Sequence, residues 1–178
     1  MKQYQLKLTA LLFFALSSLQ LLSQTIDKEF VLKQVLTSSQ SIFEGKVLSK
    51  GISFRAKNSM IYTPYVVQID KNIYGKTLSQ KINLILEGGQ IEENGMGVGS
   101  SSSHGLSVNL NINSVIFCSP ILENELPNSF YLTQQVCYSD KNEIVKTDNA
   151  LTEYYQNINE LYLDLSEKLN IKLSKKKA

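Results

Sequence analysis

The side chains able to do chemistry are few, and three of them share one stretch. Glu92, Glu93 and His104 lie between Gly88 and Gly105, which also holds the run Ser100-Ser101-Ser102-Ser103. Two carboxylates and an imidazole could hold a divalent ion, but no regular ligand spacing joins them, so no metal is expected. Glu92 and Glu93 are neighbours and point apart if the backbone is extended, which disfavours paired carboxylate catalysis. Ser103-His104 makes no catalytic dyad either. The base must be oriented by a third group and face an oxyanion hole, and no Gly-x-Ser-x-Gly elbow exists. The glycines of Gly95-Met96-Gly97-Val98-Gly99 miss the dinucleotide spacing, lack a P-loop lysine and lead to a strand instead of a helix. No nucleotide cofactor is expected, and the stretch reads as a mobile surface loop.

Cys118 and Cys137 are the only cysteines. With one histidine they cannot complete a four-ligand zinc site. A disulfide between them would close a loop of about 20 residues and contribute about 3 kcal/mol. Register argues against it. In a simple hairpin pairing Val115–Cys118 with Phe130–Thr133, Cys137 lies about seven residues along, roughly 23 Å away, beyond the ~7 Å Cα limit. A bend near Gln134-Gln135 would restore the bridge, so a disulfide and two buried thiols both stand as readings.

The elements that position these residues start after a segment with its own signature. Lys2 and Lys7 precede the apolar run Leu8 to Leu22, and Ser23, Gln24 and Thr25 follow. That order describes a secretory signal over residues 1–24. Thr9, Ser17, Ser18 and Gln20 interrupt the run, which is shorter than the ~20 residues of a membrane span. Export to the periplasm, the cell surface or the medium is expected, with no stable span once the signal is removed.

Removing residues 1–24 takes two lysines and no acid, which leaves 16 basic and 16 acidic groups. Five lysines, at 168, 172, 175, 176 and 177, crowd the end, so residues 25–167 carry 11 basic against 16 acidic groups. An acidic body excludes nucleic acid as the expected partner, and residues 172–178 read as a solvated basic tail. About 154 residues suit one domain.

Within it the periodicity changes twice. Asp27 as N-cap, Ile26 as staple, and the stripe Val31, Leu32, Val35 and Leu36 predict a leading helix. From Ser41 the period is two. Ile42–Leu48, with Gly45 as a bulge or tight bend, Ile61–Ile69, with Pro64 partly at an edge, and Ile82–Leu86 after the Tyr74-Gly75-Lys76 turn all read as strands. Leu106, Val108, Leu110 and Ile112 alternate with polar residues and make the cleanest half-buried strand pattern. Val115–Cys118, Phe130–Leu132, Val136–Tyr138 and Glu143–Val145 complete the set. Last comes a helix over 149–171, capped at Asp148 or Asn149, whose stripe Leu151, Tyr154, Tyr155, Ile158, Leu161, Tyr162, Leu165 and Leu169 should pack on the sheet. The expected class is mainly β (α+β), a small barrel or sandwich over 25–148 with a helix at each end.

Particular residues then carry a resemblance. The order Phe43-Glu44-Gly45-Lys46-Val47, Tyr62-Thr63, Tyr74-Gly75-Lys76, Glu87-Gly88-Gly89 and Val115-Ile116-Phe117 resembles the N-terminal modules of secreted Bacteroidota proteins over roughly residues 28–138. Those modules are OB-like barrels similar to that of the tissue inhibitors of metalloproteinases. The resemblance implies a non-enzymatic binding or adhesion module that meets a protein or glycan outside the cytoplasm. The alternative is a secreted hydrolase, or a regulator of one, with a site assembled from loop carboxylates.

Overall fold

The structure, a computed structural model, describes residues 28–75, 79–101, 106–120, 129–147, 149–173 and 176. The chain divides into two compact units, Met1–Gln34 and Val35–Ala178. Residues 28–38 form helix α1, in which Leu32 and Val35 are buried and Val31 and Leu36 half-buried, as the apolar spacing requires. The proposed signal, Ile26 and Asp27 lie outside the described residues.

Eight strands follow: β1 (Ser41–Lys50), β2 (Phe54–Arg55), β3 (Ile61–Tyr74), β4 (Lys81–Glu87), β5 (Gly89–Glu93), β6 (Met96–Ser100), β7 (Asn113–Pro120) and β8 (Ser129–Tyr138). The main sheet runs β1-β7-β8-β4-β3-β2, and a further pairing of β1 with β3 closes it. Five strands therefore make a closed barrel in the order β1-β3-β4-β8-β7. Every barrel pairing is antiparallel except β4 with β8. In chain order this is 1-2-3-5-4, the OB-like Greek key, so the expected class holds.

Phe43, Val47, Val67, Ile69, Ile82, Leu84, Ile116, Cys118 and Leu132 form the core, with Tyr65, Leu86, Val108 and Phe130 against it. Closure bends β1 sharply. Its pairing with β3 shifts register between Ile42 and Phe43, between Glu44 and Gly45, and between Val47 and Ser49. Gly45 sits at the middle shift. Pro64 lies beyond the last β1 partner (Lys50↔Tyr65) and between β3 residues paired elsewhere, where its missing N–H costs no ladder bond.

Three expectations need correction. Leu106–Ile112 is not a strand: the β1–β7 ladder ends at Lys46↔Asn113, and the segment before it runs off irregularly. Of the alternating apolar residues, Val108 packs against the core, Leu106 and Ile112 are half-buried and Leu110 is exposed. The segment is held instead by the buried Gln135, whose amide accepts from Asn109 N at 2.9 Å and donates to Asn109 O at 3.0 Å, and by Asn111 N donating to Val47 O at 2.8 Å. Glu143–Val145 makes only isolated bridges, Tyr138↔Ile144 and Glu143↔Asn157.

The helix expected over 149–171 is two helices, α2 (Ala150–Tyr154) and α3 (Ile158–Leu169). Asn149 caps the first, accepting from Leu151 N while its amide donates to Gln135 O. Asn157 caps the second, and Glu160 reaches back to Gln156 N at 3.0 Å, so a fresh capping pair restarts the helix. The apolar stripe survives the break. Leu151, Tyr155, Ile158, Leu161, Tyr162 and Leu165 are all at most 2% exposed. Among the described residues no helix is long and apolar enough to cross a membrane.

Candidate functional site

The stretch expected to be a mobile loop is a hairpin. β5 and β6 pair Gly89↔Ser100, Gln90↔Gly99, Ile91↔Val98, Glu92↔Gly97 and Glu93↔Met96. Asn94 and Gly95 form the two-residue connection with φ of 53° and 75°. Positive φ at both positions is the turn whose twist matches paired strands, and Asn-Gly is its strongest sequence signal. That dipeptide was the clue to the hairpin, hidden by the glycines around it.

The pairing gives one hairpin face an unusual floor. Gln90 and Glu92 project from β5, and opposite them stand Gly99 and Gly97, which have no side chains. With Ile52 and Ser53 from the segment before β2, and with Ile91 and Val98, they line an open cleft of about 500 Å³. In OB-like barrels the second and third barrel strands and the loop between the first two are the usual binding surface. Here those are β3, β4 and residues 51–60, so the cleft begins on that loop.

Two contacts fix its walls. Arg55, the chain's single arginine, grips Glu93 with both arms, Nε to Oε1 at 2.6 Å and a terminal nitrogen to Oε2 at 2.8 Å, and donates to Ser59 O at 2.8 Å. The planar guanidinium fork matches the carboxylate and ties β2 to β5. The hydrogen bond from Arg55 holds the Glu93 carboxyl below its ordinary range. At the base of the hairpin, buried Thr63 donates its hydroxyl to Gly88 O at 2.7 Å. Its proton being committed, the 2.8 Å contact with Ser53 has Ser53 as donor. Ser53 therefore offers incoming groups lone pairs.

The residues singled out by their chemistry separate. Glu93 is consumed by Arg55. Glu92 lies on the cleft floor, turned to the opposite face, and among the described residues no cation pairs with it. His104 lies outside the described residues. Among the described residues no three His, Cys, Asp or Glu side chains are close enough to hold a metal ion. The loop carboxylates thus do not converge. Ile52, Ser53, Gln90 and Arg55 belong to the site and carried no motif, apart from the uniqueness of the arginine.

A line of aromatic rings, with Tyr62 buried and Phe54 and Tyr131 half-buried, runs from β2 across β3 to β8. Phe54 and Tyr62 have centroids 6.2 Å apart, and Tyr62 and Tyr131 5.9 Å. Asn58 donates to the Tyr62 hydroxyl at 3.0 Å. At the cleft Ile52 is 91% exposed, and Met96, at the hairpin end, is 67% exposed. Large apolar side chains so exposed next to a cleft are a feature of interaction surfaces.

The cysteines are free thiols, both buried. Cys118 pairs with Leu132 and Cys137 with Ser114, so four residues of β7 separate their positions, about 13 Å at ~3.3 Å per residue. That exceeds the reach of a disulfide. The bridge contemplated from the sequence is not formed, because β8 continues straight through Gln134-Gln135 with a single extra residue opposite Phe117 and Cys118. Burial pushes the Cys118 thiol up to about 12. Burial also raises Cys137, in part offset by its bonds to Ser114 and Asn109. Thiols held protonated are inert, so neither serves as a nucleophile. Comparison with family models, with curated proteins and with solved structures gives no significant match to this chain.

Proposed function

We propose that the chain is an exported, non-enzymatic binding module that takes a protein or glycan ligand in the cleft between residues 52–53 and the β5–β6 hairpin. The observation that carries this reading is the built cleft itself. Its walls are tied down by Arg55–Glu93 and by Ser53–Thr63–Gly88, while its floor is left bare at Gly97 and Gly99. Strand glycine costs roughly 0.5–1 kcal/mol relative to alanine. Among the described residues nothing demands that cost at Gly97, where a Cβ would meet no atom within 4 Å. A close-lying ligand does supply a reason.

The test is a binding screen of the purified protein against an oligosaccharide array and a panel of purified extracellular proteins. Wild type should bind at least one probe, and Gly97→Val, which puts a branched side chain on the floor, should weaken that binding at least ten-fold. A blank screen sinks the reading. Hydrolytic turnover lost in Glu92→Gln would establish the alternative, a secreted hydrolase.

Export rests on the positive start and apolar run of residues 1–24. Mass spectrometry of protein recovered from outside the cytoplasm should find an N-terminus near Gln24 or Thr25. An intact Met1 form confined to the cytosol would refute it.

A further inference from the structure

The expectation of a solvated basic tail fails at Lys176. Its Nζ lies 2.8 Å from Glu44 Oε2 and also donates to the Tyr138 hydroxyl. The ammonium stands 4.6 Å from the Tyr138 ring centroid, within cation–π range. Its backbone is read as well. Lys176 N donates to Asn159 Oδ1 at 2.7 Å, and Asn159 Nδ2 donates to Lys176 O at 3.3 Å. One amide side chain thus meets both backbone groups of a single residue, as a neighbouring strand would.

The reason lies in β1. Glu44 is 5% exposed, and a carboxylate so buried must be paired. The lysine completes the pairing only in part, since Glu44 Oε1 is buried with no hydrogen-bond partner. Half of the carboxylate is left unanswered by the lysine that occupies the site. Burial works to lower the Lys176 pKa, and the bonds to Glu44 and Tyr138 outweigh it, so the net shift is upward.

We propose that Glu44, Tyr138 and Asn159 form a recognition site for a basic side chain on an extended polypeptide segment, filled in cis by Lys176 and open to a basic segment of a partner in trans. The carboxylate and ring select the charge, the Asn159 amide selects an extended backbone, and the spare Oε1 accepts a further N–H. The site shares no residue with the cleft, so it stands or falls independently of the cleft reading.

The experiment uses the full chain and a synthetic peptide of residues 171–178. Lys176→Ala should bind the peptide at least ten-fold more tightly than wild type, whose own lysine competes. Adding Glu44→Gln should abolish binding, and so should acetylating the peptide's sixth residue, the one equivalent to Lys176. A peptide with arginine at that position should bind at least as well, because a guanidinium can use both carboxylate oxygens. If Lys176→Ala does not fold, Lys176→Met, which keeps the aliphatic stem and leaves Glu44, Tyr138 and Asn159 untouched, should still raise peptide affinity over wild type. A folded variant that ignores the peptide, or binding indifferent to Glu44→Gln, overturns the proposal.

Discussion

Gly45→Ala should destabilise the barrel by about 3 kcal/mol or more, at the upper end of what overpacking costs. A Cβ at this position would stand 2.1 Å from Gln68 O, 3.1 Å from Gln68 C and 3.2 Å from Ile69 Cα. All three atoms are backbone, so no side-chain rotation relieves the clash. Gly45 is also paired on both sides, with Ile69 of β3 and Ser114 of β7. Relief therefore requires β1 to move away from β3, and that pairing is the one that closes the barrel. Urea unfolding followed by circular dichroism checks the effect. Gly97→Ala, at an open strand position, should leave the midpoint unchanged or slightly raised and serves as the control. An unchanged midpoint in Gly45→Ala would mean that β1 and β3 do not approach this closely, and the closed barrel would have to be given up.

Gly45 also shows how far the sequence could be read. A glycine inside an alternating run marks a bulge, and the bulge lies where expected. The runs around Val67 and Leu84 were equally legible from period two, and the run around Ile116, where Ser114 to Cys118 are buried on both faces, from its continuous apolar character. Pairing was not legible. Leu106–Ile112 has the alternation of a strand, yet Val108 packs on the core from a segment held by the Gln135 amide and by the bond from Asn111 N to Val47 O. Periodicity reports burial; a ladder requires a free neighbour, which depends on closure far along the chain.

The site was harder still. Glu92 and Glu93 were visible as chemistry, and their opposite orientation followed from extended backbone. That Glu93 faces Arg55 depends on the hairpin folding back over β2, signalled locally by Asn94-Gly95 alone. Glu44 gave no sign of burial. In a half-buried strand it would alternate with Phe43 and face water, but Ser41–Gly45 is buried on both faces. The cation that meets it lies 132 positions away in a run of lysines indistinguishable by composition. Long-range pairing of one charge with another leaves no local pattern.

The two thiols should be unreactive in the native protein and should make its stability fall in alkali. Both cysteines are 0% exposed. Cys118 donates toward Ser41 O at 3.6 Å, and Cys137 lies 3.5 Å from Ser114 Oγ. The thiolate is the reactive form, and burial suppresses it in both by raising the pKa, for Cys118 to about 12. In the unfolded chain a thiol ionises near ~8.5. A raised folded value means that the contribution is whole below the unfolded pKa and is lost as pH climbs through the folded one. Stability should therefore hold steady from neutral pH to about 8.5 and fall from there to about 12, the window between those values. Burial raises the Tyr138 hydroxyl too, and it pulls in the same direction. Urea midpoints measured across this range should bend downward above about pH 9. The bend should be shallower in a Cys118→Ala/Cys137→Ala double variant, whatever that variant loses in absolute stability. An aromatic disulfide reagent at pH 8 should find no reactive thiol in the native protein and two after denaturation without reductant. None after denaturation would mean a bridge, and the register that places Cys118 opposite Leu132 would be wrong.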